Sequence, residues 1–131
     1  MLLLTKKFEF CASHRYWNPN WDEQKNLEIF GKTTNIHGHN YVLEVTIRGE
    51  ISPQTGMIVN VTRLKEWIQP ILEEFDHRYL NEDVVEFRKV IPTTENLACV
   101  LFQRISRALP PEISLAHIRL WESDDLWVEY S

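Results

Sequence analysis

The chain has 131 residues, enough for one domain spanning 1–131, and its 44% hydrophobic and 25% charged content is ordinary for a globular protein. A formal net charge of −5 argues against a general nucleic-acid binder, which needs a surplus of Lys and Arg to neutralise phosphates. No run approaches about 18 apolar residues, so no membrane span is expected. The two cysteines, Cys11 and Cys99, form neither a CxxC pair nor a secreted disulfide framework, so a reducing cytoplasm is the expected setting. The opening MLLLTKKFEF is too short for a signal peptide.

Leu4 to Tyr16 reads as a strand. Leu4, Phe8, Phe10, Ala12 and His14 share one parity, while Thr5, Lys7, Glu9, Cys11 and Ser13 take the other. A polar segment follows, with a short helix predicted from about Asp22 to Phe30, capped by Asp22 and ended by Gly31. His37 to Glu50 is a second strand, with His39, Tyr41, Leu43, Val45 and Ile47 on one face. After the turn chemistry of Ser52 to Gly56, a helix is predicted from Thr62 to Phe75. Leu64, Trp67, Ile68, Ile71, Leu72 and Phe75 form its apolar stripe, and Pro70 should kink or break it. A further helix runs from Glu95 to Leu109, with Thr94 as its cap and Pro110-Pro111 as its stop. Strands over Leu115–Ser123 and Leu126–Tyr130 flank a turn at Asp124-Asp125. The order β-β-α-α-β-β predicts an α+β domain, with two helices on one face of a four-stranded antiparallel sheet.

Three histidines stand out. His37 and His39 are two apart on a strand and point to one face. If the first two strands pair antiparallel, His14 at the end of one meets His39 at the start of the other. Three imidazoles converging with one position open is the pattern of a catalytic zinc site. His117 falls on the solvent parity of its strand and is given no role.

FCASHRY, FGKTTNIHGHNY, SPQTGMIVNVTRLK, FDHRYLN, PTTENLA and the late WES occur in this order over nearly the whole chain. Together they resemble the motifs of 6-pyruvoyl-tetrahydropterin synthase and its bacterial relative, 6-carboxytetrahydropterin synthase. The resemblance implies the tunnelling fold, assembled through β-barrels into a homohexamer, a dimer of trimers. It implies a cytoplasmic zinc lyase acting on 7,8-dihydroneopterin triphosphate, in a biopterin or deazapurine pathway. The zinc ligands it implies are His14, His37 and His39. It also implies that Asp76 and His77 assist a catalytic cysteine, that Glu122 holds the pterin's amino and ring N–H groups, and that Thr93, Thr94 and Glu95 frame the pterin.

One position departs from that pattern. Where the family has its cysteine, this chain has Thr33, a far poorer proton acceptor than a thiolate. Cys11 lies on the parity opposite His14, so its thiol should point away from the metal. Three outcomes stay open: slow family chemistry using Asp76-His77 and zinc, side-chain cleavage to 6-hydroxymethyl-dihydropterin with Glu28 or Glu23 supplying a carboxylate, or pterin binding without turnover.

Overall fold

A computed structural model describes residues 1–131. Strand β1 (Leu3–His14) leads to helix α1 (Glu23–Phe30) and a 3-10 turn over Gly31–Thr34, then to β2 (His37–Arg48) and α2 (Val61–Glu73). Next come a two-residue strand β3 (Arg78–Tyr79), a one-turn helix α3 (Leu80–Asp83) and a 3-10 turn over Val85–Arg88. Helix α4 (Thr94–Ala108) and strands β4 (Ser114–Ser123) and β5 (Leu126–Tyr130) complete the chain. No helix is long and apolar enough to cross a membrane.

The sheet has five strands in the order β3-β1-β2-β4-β5, where four were expected. The addition is β3, which pairs parallel to β1 through Ala12↔Arg78 and Ser13↔Tyr79. Two residues are too few to show a two-residue periodicity, so this strand and the single turn of α3 leave no pattern in the sequence. All other pairings are antiparallel.

Alternation along β1 and β2 sets which side is buried. Phe8, Phe10 and Ala12 point with Tyr41, Leu43, Val45 and Ile47 toward α2 and α4, where they join Leu64, Ile68, Leu72, Leu97, Leu101 and Ile105 in one core. Both long helices therefore cover the same face of the sheet, as the stripe of α2 predicts. Pro70 does not break α2. It is exposed, so the Glu66 carbonyl that loses its partner lies on the solvent side, where water can bond it.

The cap residues position the site. Asp22 caps α1 by accepting from the Lys25 N–H at 2.8 Å, and Gly31 closes it at φ 58°, a left-handed conformation that glycine adopts without strain. Asn26, fully buried, bonds the Asn18 N–H and the Asn18 and Asp22 carbonyls, tying the preceding loop to α1. The cap of α4 is Thr93, whose hydroxyl accepts from the Asn96 N–H at 3.1 Å, and not Thr94 as expected. Thr94 is the first helical residue, which frees its hydroxyl for another partner.

Candidate metal centre and pterin cradle

The β1–β2 ladder runs in unbroken register from Leu3↔Arg48 to His14↔His37, with Ala12 opposite His39. This register gathers the three imidazoles at the end of the hairpin. Ring centroids are 4.5 Å apart for His14 and His37, 5.1 Å for His14 and His39, and 5.2 Å for His37 and His39. One nitrogen from each ring lies within 4.8 Å of the other two.

Backbone carbonyls set the tautomers. His14 Nδ1 is 2.8 Å from the Pro92 carbonyl and His37 Nδ1 is 2.8 Å from the Asn35 carbonyl. A carbonyl only accepts, so each Nδ1 carries the proton and each Nε2 keeps its lone pair. His14 Nε2 and His39 Nε2 are buried without a hydrogen-bond partner. Burial also holds His14 neutral, lowering its pKa from 6.5 to about 4 against the raising effect of the Pro92 carbonyl. His39 is shifted the same way, again chiefly by burial. The orphaned Nε2 atoms of His14 and His39, with the outer nitrogens of His14 and His37 fixed by carbonyls, fit a zinc ion.

Beside the trio stands Glu122. It extends the face of Ile118 and Leu120, as its parity predicts, and its side chain is only 13% exposed. Thr94 Oγ1 donates to Glu122 Oε1 at 2.8 Å, and the same oxygen is 3.4 Å from His39 Nε2. The second carboxylate oxygen remains for a ligand.

Two tyrosines border this space that sequence reasoning did not single out. Tyr16 stacks edge-on against His14 at 5.1 Å and lies 6.1 Å from His37. Its hydroxyl pKa is raised by burial and by the Glu122 charge, and lowered by hydrogen bonding at Thr94. Tyr41 packs against His39 at 5.6 Å, and its hydroxyl is 3.5 Å from His14 Nδ1; burial and Glu122 push its pKa up strongly. Both hydroxyls therefore stay protonated near neutral pH. Parity was the available signal, since Tyr16 follows His14 by two residues and Tyr41 follows His39 by two.

The structure separates the remaining candidates from this cluster. Thr33 Oγ1 donates to the Phe30 carbonyl at 2.7 Å, and its own carbonyl accepts from the Tyr16 N–H at 2.8 Å. Glu95 is exposed in the first turn of α4, and Glu23 and Glu28 are exposed on α1. Asp76 and His77 lie against the outer edge of β1. Asp76 Oδ1 accepts from the Cys11 N–H at 2.9 Å and sits 2.9 Å from His77 Nδ1. These two bonds, the backbone one first, lower the Asp76 pKa. Cys11 faces the opposite side of β1 from His14, as its parity predicts.

The family model for 6-pyruvoyl tetrahydropterin synthase matches residues 3–131. The 6-pyruvoyl tetrahydrobiopterin synthase of Pongo abelii is 38% identical over 130 residues, covering 97% of this chain and 89% of that protein. The dihydroneopterin monophosphate aldolase of Pyrococcus furiosus is 32% identical over 120 residues, covering 92% and 89%. A solved structure of Caenorhabditis elegans 6-pyruvoyl tetrahydropterin synthase superposes with a TM-score of 0.93 at 32% identity, covering 99% of this chain and 94% of that one. A match over almost the whole chain, in sequence and in fold, places this protein in the 6-pyruvoyl tetrahydropterin synthase family of pterin enzymes.

Proposed function

We propose that this protein is a zinc-dependent lyase acting on 7,8-dihydroneopterin triphosphate, with zinc held by His14, His37 and His39 and the pterin anchored by Glu122. The observation that carries the reading is the histidine trio, with the orphaned Nε2 atoms of His14 and His39 next to a carboxylate that is itself held by Thr94. Bound zinc would supply Lewis acidity toward the side-chain hydroxyls of the substrate. Glu122 can accept two parallel hydrogen bonds from the pterin's amino and ring N–H donors. Thr94 orients that carboxylate, and Thr93, by capping α4, keeps Thr94 in place. Tyr16 walls the space with aromatic surface and offers a hydroxyl donor that remains protonated, while the buried Tyr41 packs beneath the trio. His14 and His37 are aimed by the Pro92 and Asn35 carbonyls, so the nitrogen cluster needs little rearrangement to close on an ion.

Side-chain cleavage to 6-hydroxymethyl-dihydropterin is the second reading. The Pyrococcus furiosus relative, named an aldolase, favours it, as does Thr33 in place of the family cysteine. Incubating zinc-loaded protein with dihydroneopterin triphosphate and weighing the products separates the two. A 6-pyruvoyl or 6-carboxy product supports the synthase reading, and the hydroxymethyl product the cleavage reading. No consumption of the substrate at full zinc occupancy would defeat both.

The working form in this reading is a homohexamer. β3 and β5 leave both sheet edges open, and the sheet face turned away from the helices carries Val42, Trp121 and Trp127. Light scattering at micromolar concentration should report a hexamer or at least a trimer; a stable monomer would count against it.

A further inference from the structure

Cys11 lies beside His77, one of the two histidines outside the trio and the one with an unusual backbone conformation. His77 is the one non-glycine residue with positive φ, at 61°. A side chain in this conformation is strained, and such strain persists only where the surroundings impose it. Here the His77 N–H donates to the Cys11 carbonyl at 2.5 Å, and Arg78 then joins β1 as the start of β3. The Asp76 carboxylate accepts from the Cys11 N–H and from His77 Nδ1, both at 2.9 Å. Cys11 Sγ, a ring nitrogen of His77 and a carboxylate oxygen of Asp76 lie within 4.8 Å of one another. Gly38 contributes no side chain on this side of the sheet, and a cavity of about 380 Å³ opens there, lined by Cys11, Ser13, Asn40, His77 and Arg78. That volume suits a small molecule.

Resting on the zinc-lyase reading above, we propose that Cys11, His77 and Asp76 act as one thiol–imidazole–carboxylate unit, and that Cys11 is the proton-transferring thiol of this enzyme in place of one at position 33. The parts of an activated nucleophile are assembled: a thiol, an imidazole nitrogen within 4.8 Å of it, and a carboxylate orienting that imidazole. His77 Nδ1–H is engaged by Asp76, so the free lone pair is on Nε2. The Cys11 S–H bond breaks, an Nε2–H bond forms, and the electron pair stays on sulfur, with the Asp76 carboxylate balancing the imidazolium. The thiolate then accepts a proton from a substrate carbon, and the imidazolium proton passes to the product. Cys11 and Gly38 face the side of β1 and β2 opposite the His14 trio, and Asp76 lies at the outer edge of β1. In the homohexamer of that reading, the unit meets substrate held by a second copy of the chain.

Alkylation by iodoacetamide, read by peptide mass spectrometry with Cys99 as internal reference, tests the unit without any pterin. Cys11 should react about tenfold faster than Cys99, and His77→Gln or Asp76→Asn should remove most of that advantage without changing Cys99. A Cys11 rate indifferent to both substitutions overturns the unit. Turnover tests the role. Cys11→Ser and Cys11→Ala should each lower turnover by about 10²–10⁴-fold at unchanged zinc content, with Cys99→Ser as the active control. A reactive Cys11 whose replacement leaves turnover intact overturns the role. Wild type that consumes no pterin defeats the zinc-lyase reading and this role with it, while alkylation alone still decides whether the unit exists. Co-expression of Cys11→Ser with His39→Ala should restore about a quarter of the sites if trio and unit come from different copies. No recovery would overturn that placement.

Discussion

His14→Ala will weaken zinc binding by more than about 10²-fold, the upper range seen when only an outer partner of a metal ligand is removed. The same substitution strips the Pro92 carbonyl of its donor inside the fold, at a cost of about 1–3 kcal/mol. A second signature follows from the ring's titration. In the zinc-free protein, burial keeps His14 neutral with a pKa of about 4, against 6.5 when unfolded. Above pH 6.5 neither state takes the proton, and the full stability is present. As pH falls from 6.5 toward 4, the unfolded chain binds a proton that the native state refuses, and stability declines by about 3 kcal/mol. Below about pH 4 this contribution is spent. Urea unfolding of zinc-free protein across that window should show the decline, and His14→Ala should make it shallower, His39 supplying part of what remains. Equal slopes in wild type and variant would refute the assignment. Zinc content by atomic absorption checks the first half.

Glu122→Gln should leave zinc in place and cost pterin affinity about 1–3 kcal/mol, roughly 5- to 150-fold in Kd. The substitution preserves shape but turns one acceptor into a donor, so a pterin N–H meets an N–H. Thr94 loses little, because its hydroxyl can still donate to the amide oxygen. The measurement is a calorimetric titration with a reduced pterin at matched zinc occupancy. Glu122 Oε1 lies 3.4 Å from His39 Nε2, so the zinc assay carries its own information. Loss of metal in Glu122→Gln would make the carboxylate a ligand, and unchanged pterin affinity would remove its anchoring role.

Much of this was legible because two strands carry it. Alternation along β1 and β2 puts His14, His39 and the core on one side, and hairpin pairing brings His14 opposite His37. The parity of β4 likewise turned Glu122 inward. What alternation cannot show is which backbone group comes to meet a side chain. The carbonyls of Pro92 and Asn35 have no side-chain signature, yet they set the tautomers of two of the three histidines. Thr93 and Thr94 are adjacent and chemically alike, so the exchange of cap and carboxylate partner lies within the one-residue slack of any helix boundary. Cys11 illustrates the same limit. Parity gave its direction, away from the trio, but its neighbours Asp76 and His77 are 65 and 66 positions along the chain, brought there by α2 and a left-handed residue that sequence does not announce.

The placement of the parts along the chain also sets an order of assembly. All three imidazoles belong to the β1–β2 hairpin, joining residues at most 45 apart, Leu3 to Arg48. Glu122 and Thr94 reach the same spot only when β4 pairs with β2, which joins Val42 to Trp121. Chain closure over the longer span costs more entropy and is the slower event. During refolding the nitrogen cluster therefore takes shape before the carboxylate arrives, so under the zinc reading an ion would meet the three imidazoles before the pterin cradle has closed.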